Sequence, residues 1–355
     1  MAHAWRGAIE EYRDWLPVNE STPVVTIREG GTPLVHSPWL SSVTGGDVYL
    51  KFEGANPTGS FKDRGMTVAV SKAVERGDAA VVCASTGNTS ASASAYAARA
   101  GLTSIVLIPQ GKVTVAKMTQ SVVHGASIVQ VEGNFDDCLR LAQELSETYP
   151  VALVNSVNPY RLAGQKTAAF EVIDALGRAP DHHVLPVGNA GNISAYWMGY
   201  VDAVDGQYPL ADSRPVMWGF QAAGSAPLVE GAVVAHPDTV ASAIRIGNPA
   251  SWKLALAARD ESGGSIEAVT DTQILSAQQE LARRDGLFVE PASASGIAGV
   301  LARTDQGRGP AGTIVITVTG HGLKDVETAN TAYADQQPTV IPNDVHRAAQ
   351  ALGLA

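Results

Sequence analysis

The chain has 355 residues, 45% of them apolar and 17% charged, enough to bury one large core or two medium ones. A formal net charge of −10 without a long basic run argues against a nucleic-acid partner, although small anions need only local positive groups. Cys83 and Cys138, far apart and in apolar contexts, read as buried thiols and give neither a disulfide scaffold nor a zinc site; no metal site is expected. The opening residues lack the apolar core of a signal peptide and nowhere do eighteen apolar residues run together, so a cytoplasmic protein with no membrane contact is the expectation.

In chain order, short apolar runs read as strands: "DVYLKFEG" (47–54), "AAVVCAST" (79–86), "TSIVLIP" (103–109), "ASIVQVEG" (126–133), "VALVNS" (151–156), "HHVLPVG" (182–188), "PVMWGFQA" (215–222) and "GTIVITVTG" (312–320). Between them, helical spacing marks residues 61–77, 88–101, 114–125, 135–150, 164–177 and 192–206. Strand-helix-strand order implies an α/β fold of mainly parallel sheets wound on both faces, and continuously apolar strands are those that helices cover. The first four strands form one group and "VALVNS" opens a second, which suggests a smaller early domain and a larger later one. In such sheets ligands bind beyond the carboxyl ends of the strands, so chemistry is sought at the strand-to-helix turns.

Four turns stand out. "CASTGNTSAS" ends a strand in Ser85, Thr86, Gly87, Asn88, Thr89 and Ser90 before an Ala-rich helix; one hydroxyl would cap the helix, whereas several beside free N–H groups make a cradle for an anion. "VLPVGNAGNISA" sets Gly188, Asn189, Ala190, Gly191 and Asn192 before a helix, small residues that let N–H groups converge on one phosphate; the spacing is not that of a dinucleotide site. "ITVTGHGLKD" places Thr319 at a strand end, where β-propensity alone accounts for a threonine, with His321 a structural turn residue. In "NPTGSFKDRG", Lys62 opens a helix behind a Pro-Thr-Gly-Ser turn; Ser60 and Phe61 intervene where a P-loop needs its lysine directly after Gly59. The positive end of a helix disfavours a charged lysine, and a neutral amine in a dry pocket suits Schiff-base chemistry. An aldehyde cofactor with one phosphate, such as pyridoxal phosphate, is then one reading beside a plain surface charge.

Taken together and in this order, "NPTGSFKDRG", "STGNTSAS", "GNAGN" and "VTGHGLKD" resemble the threonine synthase family of the fold-type-II pyridoxal phosphate enzymes, the tryptophan synthase β-like group, over about residues 23–325. The resemblance implies two doubly wound domains, with a small mobile one at 55–155 inserted into a large cofactor-binding one made of 1–54 and 156–355, and a homodimer. It implies that Lys62 binds the pyridoxal 5'-phosphate covalently and moves protons, that Asn88 hydrogen-bonds the cofactor's 3'-oxygen, that the backbone of Gly188, Asn189, Ala190, Gly191 and Asn192 holds its phosphate, and that Thr319 faces the pyridine nitrogen. The substrate implied is O-phospho-L-homoserine, converted with water to L-threonine and phosphate. Its carboxylate would be received by Ser85 and Thr86. Its phosphate would meet Thr89, Asn155, Ser156 and above all Arg161, a bidentate partner for phosphate; Lys166 reads as a solvated helix residue. Dehydratases and cysteine synthases share the fold, and a dehydratase needs no second phosphate site. A catalytically silent binder of phosphate esters would have no use for Lys62.

Overall fold

The computed structural model describes residues 3–111, 118–207, 209–332 and 338–354. The chain divides into two compact units, Met1–Lys324 and Asp325–Ala355. Among its described residues the second carries two short helices, Val326–Ala332 and Val345–Ala351, the latter capped by Asp344, whose carboxylate accepts the Arg347 N–H. Among the described residues no helix is long and apolar enough to cross a membrane.

Among the described residues the first unit is built on ten strands: β1 (Leu34–His36), β2 (Asp47–Phe52), β3 (Ala80–Ala84), β4 (Thr103–Pro109), β5 (Ser127–Val131), β6 (Val151–Leu153), β7 (His182–Pro186), β8 (Val216–Ala222), β9 (Ser265–Val269) and β10 (Thr313–Val318). They form a six-stranded sheet, ordered β1-β2-β10-β7-β8-β9, and a four-stranded sheet, ordered β5-β4-β3-β6. Every pairing is parallel except β1 with β2. Two expectations are corrected here. β2 leaves the early group to pair with β10, Val48 opposite Ile314, and β6 does not open a second group but closes the small sheet beside β3. β1 and β9 were invisible to the apolar-run criterion because one is three residues long and the other alternates "SIEAV" at the sheet edge. The expected helix over 114–125 lies partly outside the described residues; Thr119–Val123 is helical.

Strand order decides where the turns fall. β2, β10 and β7 are neighbours and parallel, so the turns that follow them, at Lys62, Thr319 and Gly188, leave the same end of the sheet. β3 and β6 are likewise neighbours, which brings the Ser85 turn beside the segment Asn155–Arg161.

The helices Lys62–Arg76 and Pro159–Leu176 cross with almost no gap. A Cβ on Gly65 would lie 2.6 Å from the Arg161 carbonyl oxygen, and one on Gly164 would lie 2.0 Å from that of Arg64, so glycine alone permits this approach. Buried charge clamps the crossing. Arg64 donates to Glu53 at 2.7 and 2.8 Å and to Glu171 at 2.5 and 2.7 Å, Lys51 donates to Glu171 at 2.6 Å and to the Thr32 carbonyl at 2.7 Å, and all four charged residues are buried. Burial alone would raise both carboxyls; Arg64 and Lys51 outweigh it and hold them below the ordinary carboxylate range. A lowered carboxyl lends stability that is present above that range and lost as pH falls through it.

Two cations facing two carboxylates leave no net charge, and removal of one member strands the rest in a dry interior. Arg64→Met is expected to cost about 3–5 kcal/mol in urea unfolding, far more than an exposed pair would; a loss under about 1 kcal/mol would show the cluster to be dispensable.

Candidate active site

The Lys62 turn is held from three sides. Asp63 folds back to accept the Thr58 N–H at 2.7 Å, the Thr58 hydroxyl at 2.6 Å and the Ser92 hydroxyl at 2.6 Å. Asn56 donates to the Glu53 carbonyl and carboxylate, both at 2.9 Å, which ties the turn to the buried ion cluster. The Phe61 N–H donates to the Thr319 carbonyl at 3.1 Å and the His321 N–H to the Gly59 carbonyl at 2.9 Å, so the turn is laced to the end of β10. His321 is the structural turn residue expected of it: its Nδ1 accepts the Leu323 N–H at 3.1 Å.

Lys62 is the first residue of its helix. Its amine lies 4.2 Å from the centre of the Phe61 ring and has no hydrogen-bond partner among the described residues. The residue keeps an opening to solvent while protein atoms crowd around it. This desolvation, followed by the Arg161 charge, lowers the amine to about 7 against the opposing pull of Glu290. A depressed amine was expected from the helix dipole; burial and a neighbouring guanidinium are the causes.

Arg161 lies in the first turn of its helix, not in a loop, because Asn158 caps that turn by accepting the Tyr160 N–H and Pro159 follows at the first helical position. The guanidinium is fully buried. Nη1 donates to the Val154 carbonyl at 2.7 Å, whereas Nε and Nη2 have no partner among the described residues. Burial lowers Arg161 to about 10, so it stays charged at neutral pH, and a buried cation with two unused donors is suited to an anion.

The other expected residues fall around this pair unevenly. Gly188, Asn189 and Ala190 follow β7, and Ala190 adopts left-handed φ of 64° to start the helix Gly191–Asp205, which has no side-chain cap and so leaves its first N–H groups for a ligand. Asn189 accepts the Ala250 N–H at 2.6 Å, and Asn192 donates to Gln165 at 3.4 Å while its Oδ1 is buried without a partner. The Thr319 hydroxyl lies 2.9 Å from that of Ser293. Asn88 opens the helix Asn88–Ala100, again without a side-chain cap, and donates to both oxygens of Glu290 at 3.2 and 3.1 Å. Ser85 accepts the Gly87 N–H at 3.3 Å. Thr86, Thr89 and Ser156 are half-buried without a side-chain hydrogen bond among the described residues. Asn155 is engaged at both ends of its amide by the Ala84 backbone at 2.9 Å, which pins the end of β3 to the segment beyond β6. Lys166 is not solvated: it donates to Asp202 at 2.6 Å.

Sequence reasoning passed over Glu290 and Ser293, at the cap and in the first turn of the helix Pro291–Asp305 in "VEPASAS". A glutamate at the cap position directly before a helix-opening proline, where a short polar residue is the rule, was the available signal.

These residues fit pyridoxal phosphate. A depressed, unpartnered lysine amine suits its aldehyde, an uncapped helix start with a left-handed residue before it suits its phosphate, and a strand-end hydroxyl suits its ring nitrogen. Residues 25–320 match the sequence profile of the family described as "Pyridoxal-phosphate dependent enzyme". The chain is 56% identical over 353 residues to a threonine synthase of Mycobacterium leprae, covering 99% of this chain and 97% of that one, and 54% identical over 352 residues to a threonine synthase of Synechocystis, covering 98% and 91%. In fold it is similar to the processed form of threonine deaminase isoform 2 from Solanum lycopersicum, with a TM-score of 0.73 at 21% identity over 85% of this chain and 82% of that one. The chain therefore belongs to the threonine synthase family of the pyridoxal-phosphate dependent enzymes.

Only the neutral amine attacks an aldehyde, so the rate at which cofactor-free protein takes up pyridoxal phosphate is expected to rise with pH to a plateau with its midpoint near 7. Because Arg161 depresses the amine, Arg161→Met moves that midpoint upward. Stopped-flow absorbance against pH checks both; a midpoint near the ordinary lysine value, or one that Arg161→Met leaves in place, contradicts the coupling.

Proposed function

We propose that the protein converts O-phospho-L-homoserine and water to L-threonine and phosphate, with Lys62 as its catalytic residue. When bound, pyridoxal phosphate supplies an electron sink for the carbanion formed at the substrate's α carbon. Lys62 would hold the cofactor through its amine, and the same amine is the group placed to take the α proton and to carry protons at the neighbouring carbons. The low basicity that desolvation and Arg161 impose keeps this amine able to exchange protons near neutral pH.

The remaining assignments follow the same geometry. The first N–H groups of the helix Gly191–Asp205, with the backbone of Gly188, Asn189, Ala190 and Asn192, receive the cofactor phosphate. Asn88 donates to the 3'-oxygen. Thr319, set by Ser293, meets the ring nitrogen with a neutral hydroxyl, which moderates the sink where a carboxylate would enforce a positive ring. Ser85 and Thr86, before the uncapped helix Asn88–Ala100, receive the substrate carboxylate.

One observation carries the choice among enzymes of this fold: Arg161, buried with two unused donors, presses on Lys62 electrostatically. A dehydratase has no second phosphate to bind. An enzyme that expels phosphate from the γ carbon needs a cation there, and the departing phosphate, kept by Arg161 with Thr89, Ser156 and the Asn155 segment, can assist the addition of water at Cβ. Residues 55–155 act as a small domain that closes over the substrate and excludes water during the elimination. The working form is a cytoplasmic homodimer.

The test is phosphate release coupled to threonine formation from O-phosphohomoserine. Wild type is expected to produce both in equal amounts, and Lys62→Ala neither. Arg161→Leu is expected to lower kcat/KM by roughly a hundredfold or more, as loss of a charge-assisted contact does. Phosphate release without threonine would place the chain among other eliminating enzymes, and no turnover by wild type would overturn the proposal.

A further inference from the structure

The helix Pro291–Asp305 begins behind Glu290, whose side chain makes no cap bond to that helix. Only 4% exposed, it reaches across to the other sheet's helix start, and the Asn88 amide nitrogen lies 3.2 and 3.1 Å from its two oxygens. One N–H directed between the two oxygens satisfies that geometry and leaves the second N–H of the amide for the cleft. The same turn holds β10's end. The Glu290 N–H donates to the Gly320 carbonyl at 3.1 Å, the Gly320 N–H donates to the Ser293 hydroxyl at 2.8 Å, and that hydroxyl lies 2.9 Å from Thr319's. Room for the carboxylate exists because residue 320 is glycine: a Cβ there would fall 2.4 Å from Glu290 Oε1.

We propose that Glu290 is a positioning residue that fixes the Asn88 amide with its nitrogen toward the cofactor's 3'-oxygen, so that Asn88 can only donate there. This rests on the assignment of Asn88 to that oxygen. An Asn amide is nearly symmetric in shape and can turn over to present either its oxygen or its nitrogen. A carboxylate on one side removes that freedom, because an amide oxygen facing it would set two acceptors against each other. An amide turned the wrong way would oppose the 3'-oxygen with a second acceptor.

The experiment measures the dissociation constant of pyridoxal phosphate from the protein and the pH dependence of its visible band in wild type, Asn88→Ala, Glu290→Ala, Glu290→Gln and the double variant Asn88→Ala/Glu290→Ala. Each alanine variant is expected to weaken cofactor binding about tenfold or more, the double variant no further than Asn88→Ala alone, and Glu290→Gln to recover part of the loss because its amide oxygen still accepts from Asn88. Multiplied losses in the double variant, or wild-type binding and pH response in both Glu290 variants beside a weakened Asn88→Ala, overturn the positioning role while leaving Asn88's own role standing. Wild-type binding by Asn88→Ala overturns both. If Glu290→Ala does not fold, Glu290→Gln, which keeps the volume, carries the comparison.

Discussion

The crossing of the helices Lys62–Arg76 and Pro159–Leu176 is the contact on which the rest depends. Gly65 and Gly164 let the backbones meet, and Arg64, held by Glu53 and Glu171, locks the meeting in a dry interior. That contact sets Arg161 close enough for its charge to lower the Lys62 amine. Further along the second helix, Gln165 bonds Asn192 at the start of the next helix, so one crossing also steadies the loop proposed for the cofactor phosphate. Within "NPTGSFKDRG", then, Asn56, Asp63, Arg64 and Gly65 are scaffold, and Lys62 is left with a polar head that has no hydrogen-bond partner among the described residues.

Electrostatics gives the neighbouring cations different tasks. Arg64 is surrounded by carboxylates and is raised against the lowering effect of its burial. Arg161 has no carboxylate bonded to it among the described residues, remains charged, and lowers the basicity of Lys62. A buried cation of this kind is costly to folding. Its retention is accounted for if the missing anion arrives with the substrate.

Much of the fold was legible because covered parallel strands are continuously apolar. Eight strands read from such runs exist, and among the described residues five long helices and the short Thr119–Val123 match their periodicity at least in part. What failed was pairing. The apolar runs alone do not show that β2 joins a strand more than 260 residues away, or that β6 turns back to β3. The motif turns were legible as unusual, since hydroxyls and glycines clustered beyond what one cap needs. Partners were not. Lys51, Glu53 and Glu171 look like ordinary surface charges in "YLKFEG" and "AAFEVI", and only the folded chain reveals them as buried and paired. Glu290 was missed for the same reason, because its meaning lies in Asn88, some two hundred residues earlier.

The central claim is that this framework exists to present one amine. Borohydride reduction of the protein loaded with pyridoxal phosphate, followed by peptide mass spectrometry, tests it most directly. The account predicts a single pyridoxyl group on the peptide that contains Lys62. A label on Lys51, Lys166 or Lys324, or labelling spread over several lysines with Lys62 unmarked, would contradict it.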